Sequence, residues 1–418
     1  MSAEGDQKYF CEGIAEEILN TLARIEGLRV ASRTASFALA APRGEVAEMG
    51  RKLGVSSILD GSVRKVGARL RVTVQLVDAG SGYQRWSERF DADLEDVFAI
   101  QDRIAENTVR TLGPLLGGAT GDVRRSRRTS VDAYDFYLRG RQLVADLQGA
   151  SLRQARIMFR RAAEIDPEYA LAWCGITEAS SWLFMWFGTA EEDRQAALEA
   201  SARALALDPD AAEVHVSRAL ALMLGKNYGE AGKELQRALA LDPRSFDATY
   251  YAGRVAFSEG RMEEAIDLML RAAELRPDDF QTLGLVAPVL DASGRGEEAE
   301  HAAAEALARI DRRLAIHPAD ARAMYIGAIL LVRRDQREAG ERLLERAIAV
   351  APDDPAILYN AGCFWVQAGD SEKALAYLER TIAQQGKGSP VADWLRHDTD
   401  FDPLRGDPRF AALLARLG

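Results

Sequence analysis

Six prolines constrain the fold of this chain more than any other feature. Pro167, Pro209, Pro243, Pro277, Pro318 and Pro352 stand 42, 34, 34, 41 and 34 residues apart, a 34-residue period with insertions of eight and seven residues. A proline cannot continue the helix before it and biases its preceding residue away from helical geometry. Residues 242–278 show what one period contains. An Asp-Pro pair opens it, an apolar-periodic segment covers 248–257, Gly260-Arg261 turns the chain, and a second amphipathic segment covers 263–275 before the next proline. Each period is therefore two helices, and one such pair cannot bury its apolar face alone. Neighbouring pairs must stack into a continuous solenoid.

Small residues recur at fixed offsets inside the period. Ala272, Ala265, Gly260 and Gly253 precede Pro277; Ala238 and Ala231, Ala347 and Gly340, and Ala204 and Ala197 hold equivalent places before Pro243, Pro352 and Pro209. Paired helices need small side chains where they cross. This pattern resembles the tetratricopeptide repeat (TPR) family. The resemblance implies a mainly α protein with a right-handed TPR α-solenoid of about seven helix pairs over residues 131–386 and a C-terminal cap over 387–418. The second pair carries the longer insertion near Trp182, Phe184, Trp186 and Phe187, an aromatic load that reads as core of lengthened helices rather than a docking patch. Residues 304–312 lengthen the fifth pair. In the tail, Trp394, Phe401, Leu404, Phe410, Leu413, Leu414 and Leu417 form the apolar series that caps the last pair.

In such an array the first helix of each pair lines the concave surface. Position within the repeat places Glu213, Tyr250, Arg254, Phe257, Tyr325 and Tyr359 there as candidate partner-binding residues, with packing between repeats as the competing role. Tyrosine offers large contact area at low conformational cost. Some members of the family grip a peptide's terminal carboxylate with clustered Lys, Arg and Asn. Arg254 and Asn360 stand isolated here, so that mode is not expected.

Residues 1–116 follow a different pattern. Ile14, Ile18, Leu22 and Ile25 recur at helical spacing within 10–25, residues 28–32 form a short strand candidate, and 45–53 resumes helical spacing. Residues 57–66 and 69–78 flank Gly67-Ala68 as a hairpin; Leu70, Val72, Val74 and Leu76 alternate with polar side chains. Residues 83–90 can add a strand, and 97–116 reads as a closing helix. The runs Tyr9-Phe10-Cys11-Glu12-Gly13-Ile14, Leu28-Arg29-Val30-Ala31-Ser32-Arg33, Gly61-Ser62-Val63-Arg64 and Trp86-Ser87-Glu88-Arg89-Phe90 resemble the bacterial TolB amino-terminal-like α/β domain. That family opens with an apolar strand that this sequence lacks, so the native protein is expected to extend upstream of Met1, the alternative being a sheet that lacks this strand and leaves an unpaired edge. Such domains commonly precede TPR arrays and follow a signalling module. Arg64 and Arg89 are the positions where this domain could meet an acidic partner or a phosphate, although exposed sheet-surface ion pairs are the commoner role.

Residues 117–130 join the two parts. Their glycines and the run Arg124-Arg125-Ser126-Arg127-Arg128-Thr129-Ser130 read as a solvated linker, with a phosphorylation switch as the alternative. Residues 1–130 carry 19 basic and 18 acidic side chains and residues 131–418 carry 34 and 46, so the acidic excess sits in the repeats and disfavours nucleic-acid binding by this chain alone. Cys11, Cys174 and Cys363 are dispersed, as are the four histidines, which predicts neither a metal site nor a disulfide framework. No cofactor motif, apolar run of membrane length or signal peptide occurs, and the default location is cytoplasmic. No oriented nucleophile and base stand out. The expected function is non-catalytic: a scaffold that binds protein or peptide partners through the concave surface. The alternative is a regulatory part of a bacterial signalling protein, such as a class III adenylate or guanylate cyclase, a winged-helix transcription regulator or a kinase, whose effector lies upstream or in another chain.

Overall fold

A computed structural model describes residues 5–23, 25, 28, 30–31, 36, 46–66, 69–93, 96–112, 129–145, 147–188, 190–385 and 390–417. Two compact units divide the chain: Met1–Ala145 with Ile157–Ala172, and Asp146–Arg156 with Trp173–Gly418. The expected fold is found, mainly helical with a small N-terminal sheet and stacked helix pairs. The linker residues 113–128 lie outside the described residues.

In the first unit, α1 (Gly5–Ala23) and α2 (Val46–Leu53) precede strands β1 (Ser57–Val66), β2 (Arg69–Asp78) and β3 (Gln84–Asp93). The sheet order is β1-β2-β3, antiparallel throughout, with Val63 opposite Val72 and Val72 opposite Phe90. Alternation on β2 buries Leu70, Val72, Val74 and Leu76 and leaves Arg69 and Arg71 exposed, as a one-sided sheet requires. Helix α3 (Val97–Leu112) buries Phe98, Ile100, Ile104 and Val109. Arg103 and Asn107 on α3 hold the Glu88 carboxylate of β3 at 2.6 Å each. Gln101 donates to the buried Tyr134 hydroxyl of α4 (Val131–Val144) at 2.8 Å, tying that helix to the α/β layer. Residues 28, 30 and 31 of the strand candidate carry no regular structure, and the other two lie outside the described residues.

Helix α5 (Gly149–Ile165) runs from one unit to the other, and the second unit continues in antiparallel pairs. These are α6 (Ala170–Trp186) and α7 (Glu191–Leu207), α8 (Ala212–Leu224) and α9 (Tyr228–Leu241), α10 (Phe246–Ser258) and α11 (Met262–Leu275), α12 (Gln281–Ala292) and α13 (Gly296–Ile316), α14 (Ala321–Arg333) and α15 (Arg337–Val350), and α16 (Pro355–Gln367) and α17 (Ser371–Ala383). The insertions lengthen helices rather than loops: α6 has 17 residues against 13 in α8, and α13 has 21 against 14 in α11.

The small residues that set the period sit where the helices cross. Ala197, Ala204, Ala231, Ala238, Ala265, Ala272 and Ala347 are fully buried. A Cβ on Gly340 would lie 2.8 Å from both the Phe364 ring and the Ala328 carbonyl oxygen, so only glycine fits. Side-chain oxygens of Ser245, Asp320 and Asp354 accept from the first free N–H groups of α10, α14 and α16, which fixes where each first helix starts. A second periodic device joins the turns. Arg271, Arg346 and Arg380 donate to the carbonyls of Pro243, Pro318 and Pro352, each 28 residues earlier.

The C-terminal segment closes the array. Helix α18 (Pro390–His397), a 3-10 turn (Thr399–Leu404) and α19 (Pro408–Leu417) bury Leu395, Phe401, Leu404, Phe410, Leu413 and Leu417 in one cluster with Phe364, Leu375 and Leu378 of the last pair. Each large side chain so buried contributes about 1.5–3 kcal/mol of transfer free energy.

The turn within each of five pairs places one residue at positive φ: Lys226, Gly260, Gly294, Asp335 and Gly369, at 58, 76, 77, 58 and 77°. Three are glycines. Lys226 and Asp335 carry a Cβ in the left-handed region and cost about 1 kcal/mol each relative to an unstrained backbone. Replacing either with glycine, Lys226→Gly or Asp335→Gly, is expected to raise the thermal midpoint by about 1–3 °C. Melting curves that fall for both would count against this account of the turn.

Candidate partner-binding groove

Counting from each proline explains which side chains share the inner face. Tyr250, Tyr325 and Tyr359 all stand seven residues after their prolines, and Glu213, Gln281 and Arg322 stand four after theirs. The first helices α8, α10, α12, α14 and α16 bring these two offsets onto one surface. Tyr250 and Tyr359 are buried, while Glu213, Arg254, Phe257, Gln281, Arg322 and Tyr325 are half-buried.

Hydrogen bonds link several of them into a line. Arg254 Nη1 and Gln281 Nε2 both donate to the Tyr250 hydroxyl, at 3.1 and 2.8 Å, and Arg322 Nη1 donates to Gln281 Oε1 at 2.7 Å. The Tyr250 ring stacks on Phe246 with centroids 5.8 Å apart and meets Tyr251 edge-on at 5.3 Å. Phe257 instead packs with the core formed by α11 to α14. Burial pushes the Tyr251, Tyr325 and Tyr359 phenols above their usual range, so all three are neutral donors near pH 7.

Helix α6 lies along part of this inner face. Its lengthened end puts the Trp186 ring 4.8 Å from Trp394 and 6.2 Å from Tyr359, and Gln385 donates to the Trp186 carbonyl at 3.1 Å. One turn earlier, Arg322 stands 5.7 Å over the Trp182 ring. The aromatic load of the second pair therefore packs against residues from the far end of the same unit. Phe184 is buried with Ala197, Ala221 and Leu224.

Beside Tyr359 lies a second polar group. Its hydroxyl donates to Asp398 Oδ2 at 2.9 Å; Asp398 Oδ1 accepts the Asp400 N–H at 3.0 Å, and Arg333 pairs with the Asp400 carboxylate. Cys363 Sγ and the two carboxylates lie within 4.8 Å of one another, a donor set with metal-like chemistry. Arg333 already supplies the positive charge that such a set needs, and both Asp398 oxygens are engaged. No local sequence signal points to this group, because Arg333 and Asp400 meet across 67 residues. By contrast, the offset that selected Glu213 also selects Gln281 and Arg322, so those two were within reach of the same argument.

Arg64 and Arg89 belong to the other unit. Both are exposed on the polar side of the sheet; Arg64 stands opposite Arg71, and Arg89 pairs with Asp91 at 3.0 Å.

Comparison with known proteins fits this geometry. Residues 190–245, 233–280 and 327–390 match the family profile of the tetratricopeptide repeat. These segments are tetratricopeptide repeats. The TPR assignment covers α7 to α11 and α15 to α17 and agrees with the crossing residues described above. The chain is 33% identical over 234 residues to a Rhizobium meliloti (strain 1021) protein provisionally named adenylate cyclase 3. That match covers 55% of this chain and 40% of the relative, so the chain spans less than half of that relative's length. Among solved structures, a human IFIT1 dimer with m7Gppp-AAAA is 17% identical, covering 77% of this chain and 75% of that one with a TM-score of 0.48. YrrB, described as a TPR protein with an unusual peptide-binding site, is 23% identical, covering 48% and 95%, with a TM-score of 0.29. Among the described residues, no helix is long and apolar enough to cross a membrane.

The cap group makes a pH test of how α16 meets the C-terminal segment. Burial, then the neighbouring Asp400 charge, pushes the Asp398 carboxyl up to about 7. Tyr359 and Cys363 on α16, Asp400 on the 3-10 turn and Arg333 on α14 are the titratable or charged groups that face it. Between an ordinary aspartate value near 4 and about 7, the folded state keeps this proton and the unfolded chain does not. Its contribution therefore favours folding below that window, declines as pH rises through it and is flat above. The thermal midpoint of the wild type minus that of Asp398→Asn should fall between pH 5 and pH 8. A difference that is constant or rises over that range would show that Asp398 is an ordinary carboxylate.

Proposed function

We propose that this chain is a non-catalytic scaffold whose TPR array binds protein or peptide partners through its concave face. The observation that carries this reading is the shared register of Tyr250, Tyr325 and Tyr359 on α10, α14 and α16, flanked by Glu213 and Arg254. At the same offset α8 carries the apolar Val216. Tyrosine keeps a polar tip on an apolar body, which suits a surface that meets another chain. Since α6 already covers part of this face, the partner engages the portion that α6 leaves accessible, with Glu213 and Tyr325 as its half-buried markers.

A second reading has its own support. The likeness to the protein provisionally named adenylate cyclase 3 favours a regulatory part of a bacterial signalling protein, with the effector joined to this chain or recruited by it. The TolB-like resemblance of residues 1–116 fits that role, and Arg64 and Arg89 are then the positions through which the α/β domain meets an acidic partner. Both readings leave this chain without catalysis of its own.

Photo-crosslinking in the expressing cells separates these surfaces. A photoreactive residue at Glu213 or Tyr325 should yield discrete adducts with a protein partner, and one at the exposed Arg237 of α9 should not. Equal adducts from all three positions would sink the concave assignment. Purified chain incubated with ATP and divalent metal should form no cyclic nucleotide above the blank, and its appearance would overturn the non-catalytic reading.

A further inference from the structure

We propose that the inner face of the TPR array holds a small dianion between Arg254 and Arg322. The inference is independent of whether a protein partner docks on the same array. Arg254 lies deep in the second unit yet keeps accessible surface, and the groups that face it are the phenols of Tyr250, Tyr251 and Tyr359. Among the described residues neither Arg254 nor Arg322 forms an ion pair with any carboxylate. Asp247, on the same helix as Arg254, pairs with Arg276 at 3.6 Å, and Asp354, which feels the Arg322 charge without forming an ion pair with it, caps α16 through the Ala356 and Ile357 N–H groups.

Two guanidinium groups drawn out of bulk water with no carboxylate in ion-pair contact are costly, and a fold keeps such groups only for a reason. Here they stand at the two ends of one hydrogen-bonded line, Arg254 to Tyr250 to Gln281 to Arg322. Arg254 donates to Tyr250, Arg322 donates to Gln281 and also reaches the Tyr325 hydroxyl, and both guanidinium groups retain further N–H donors, which match the paired oxygens of an oxyanion. Tyr250 and Gln281 set the spacing, and the Trp182 ring under Arg322 restricts its rotation. Because α6 already runs along this face, a compact ligand fits the site better than a length of peptide. The ligand class is a small molecule with two oxyanion groups, either phosphoryl or carboxylate.

Thermal melting with inorganic pyrophosphate and with succinate tests this, using sodium chloride at matched ionic strength as the reference. At least one probe should raise the wild-type midpoint saturably by about 2–4 °C, and the responding probe identifies the oxyanion class. Arg254→Met and Arg322→Met should each abolish that rise. In chloride alone each should melt no lower than wild type, because a buried unpaired charge has been removed; a merely structural arginine would give the opposite sign. Absence of a rise with both probes, or a rise that survives in either variant, overturns the proposal. Should Arg254→Met fail to fold, Arg254→Gln takes its place, and full retention of the rise in that variant overturns the proposal equally.

Discussion

The crossing of two helices at alanine and glycine is the contact on which the rest of the second unit depends. Where α11 meets α10, Ala265 and Ala272 are fully buried, and Gly253 of α10 leaves the space into which Met269 of α11 packs. This close approach fixes the angle and depth of each pair. Pairs so fixed present their first helices in register, so a side chain at a given offset from the proline returns on the same face. Without the small residues there would be no common inner face for Tyr250, Tyr325 and Tyr359 to share. The Arg271, Arg346 and Arg380 bonds to proline carbonyls act on top of that crossing and tie the second helix of each pair to the turn before its first.

An insertion into such an array has to go somewhere, and here it extends helices. A four-residue increase over α8 lengthens α6 by about 6 Å, one helical turn. That turn carries Trp186 and follows directly on Trp182, and the two rings meet Arg322, Tyr359 and Trp394. The inner face is consequently a partly filled cleft. Tyr359 illustrates the effect: its ring packs edge-on to Trp186, Trp394 and Phe401, and its hydroxyl is held by Asp398, so it ties the cap, the last pair and α6 together.

Much of this was legible in the sequence because it is local or periodic. Pro243 to Pro277 spans one unit, and the alternation of Leu70, Val72, Val74 and Leu76 announces a one-sided strand. The aromatic run near Trp182 was also readable as core of a lengthened helix. Its landing place was not. Trp186 meets Tyr359 and Trp394 across more than 170 residues, and no periodicity reports where a helix end arrives once the array curves. The same holds for Arg333 and Asp400, whose pairing depends on how the tail returns over α14. Gln281 and Arg322 are different: their offset from the proline placed them beside Glu213, and only their lack of a tyrosine-like appearance hid them.

Charge pairing within the array makes the two unpaired arginines informative. Where an arginine serves the architecture of this unit, it has an anionic or carbonyl partner: Arg156 pairs with Asp193, Arg313 with Asp320, Arg333 with Asp400, and Arg309 donates to the carbonyls of Ala273, Arg276 and Asp279. Each of these partners is an anion or a carbonyl, which satisfies a group that would otherwise be left open. Arg254 and Arg322 donate instead to a neutral phenol and a neutral amide, with no carboxylate in ion-pair contact. Packing alone does not require a guanidinium at either place, since a methionine or leucine fills similar volume without the desolvation cost. A charge kept in a cleft against that cost is best explained by an opposite charge that arrives from outside the chain. The phenols and amide around it then serve to hold the two guanidinium groups apart at a fixed spacing until it does.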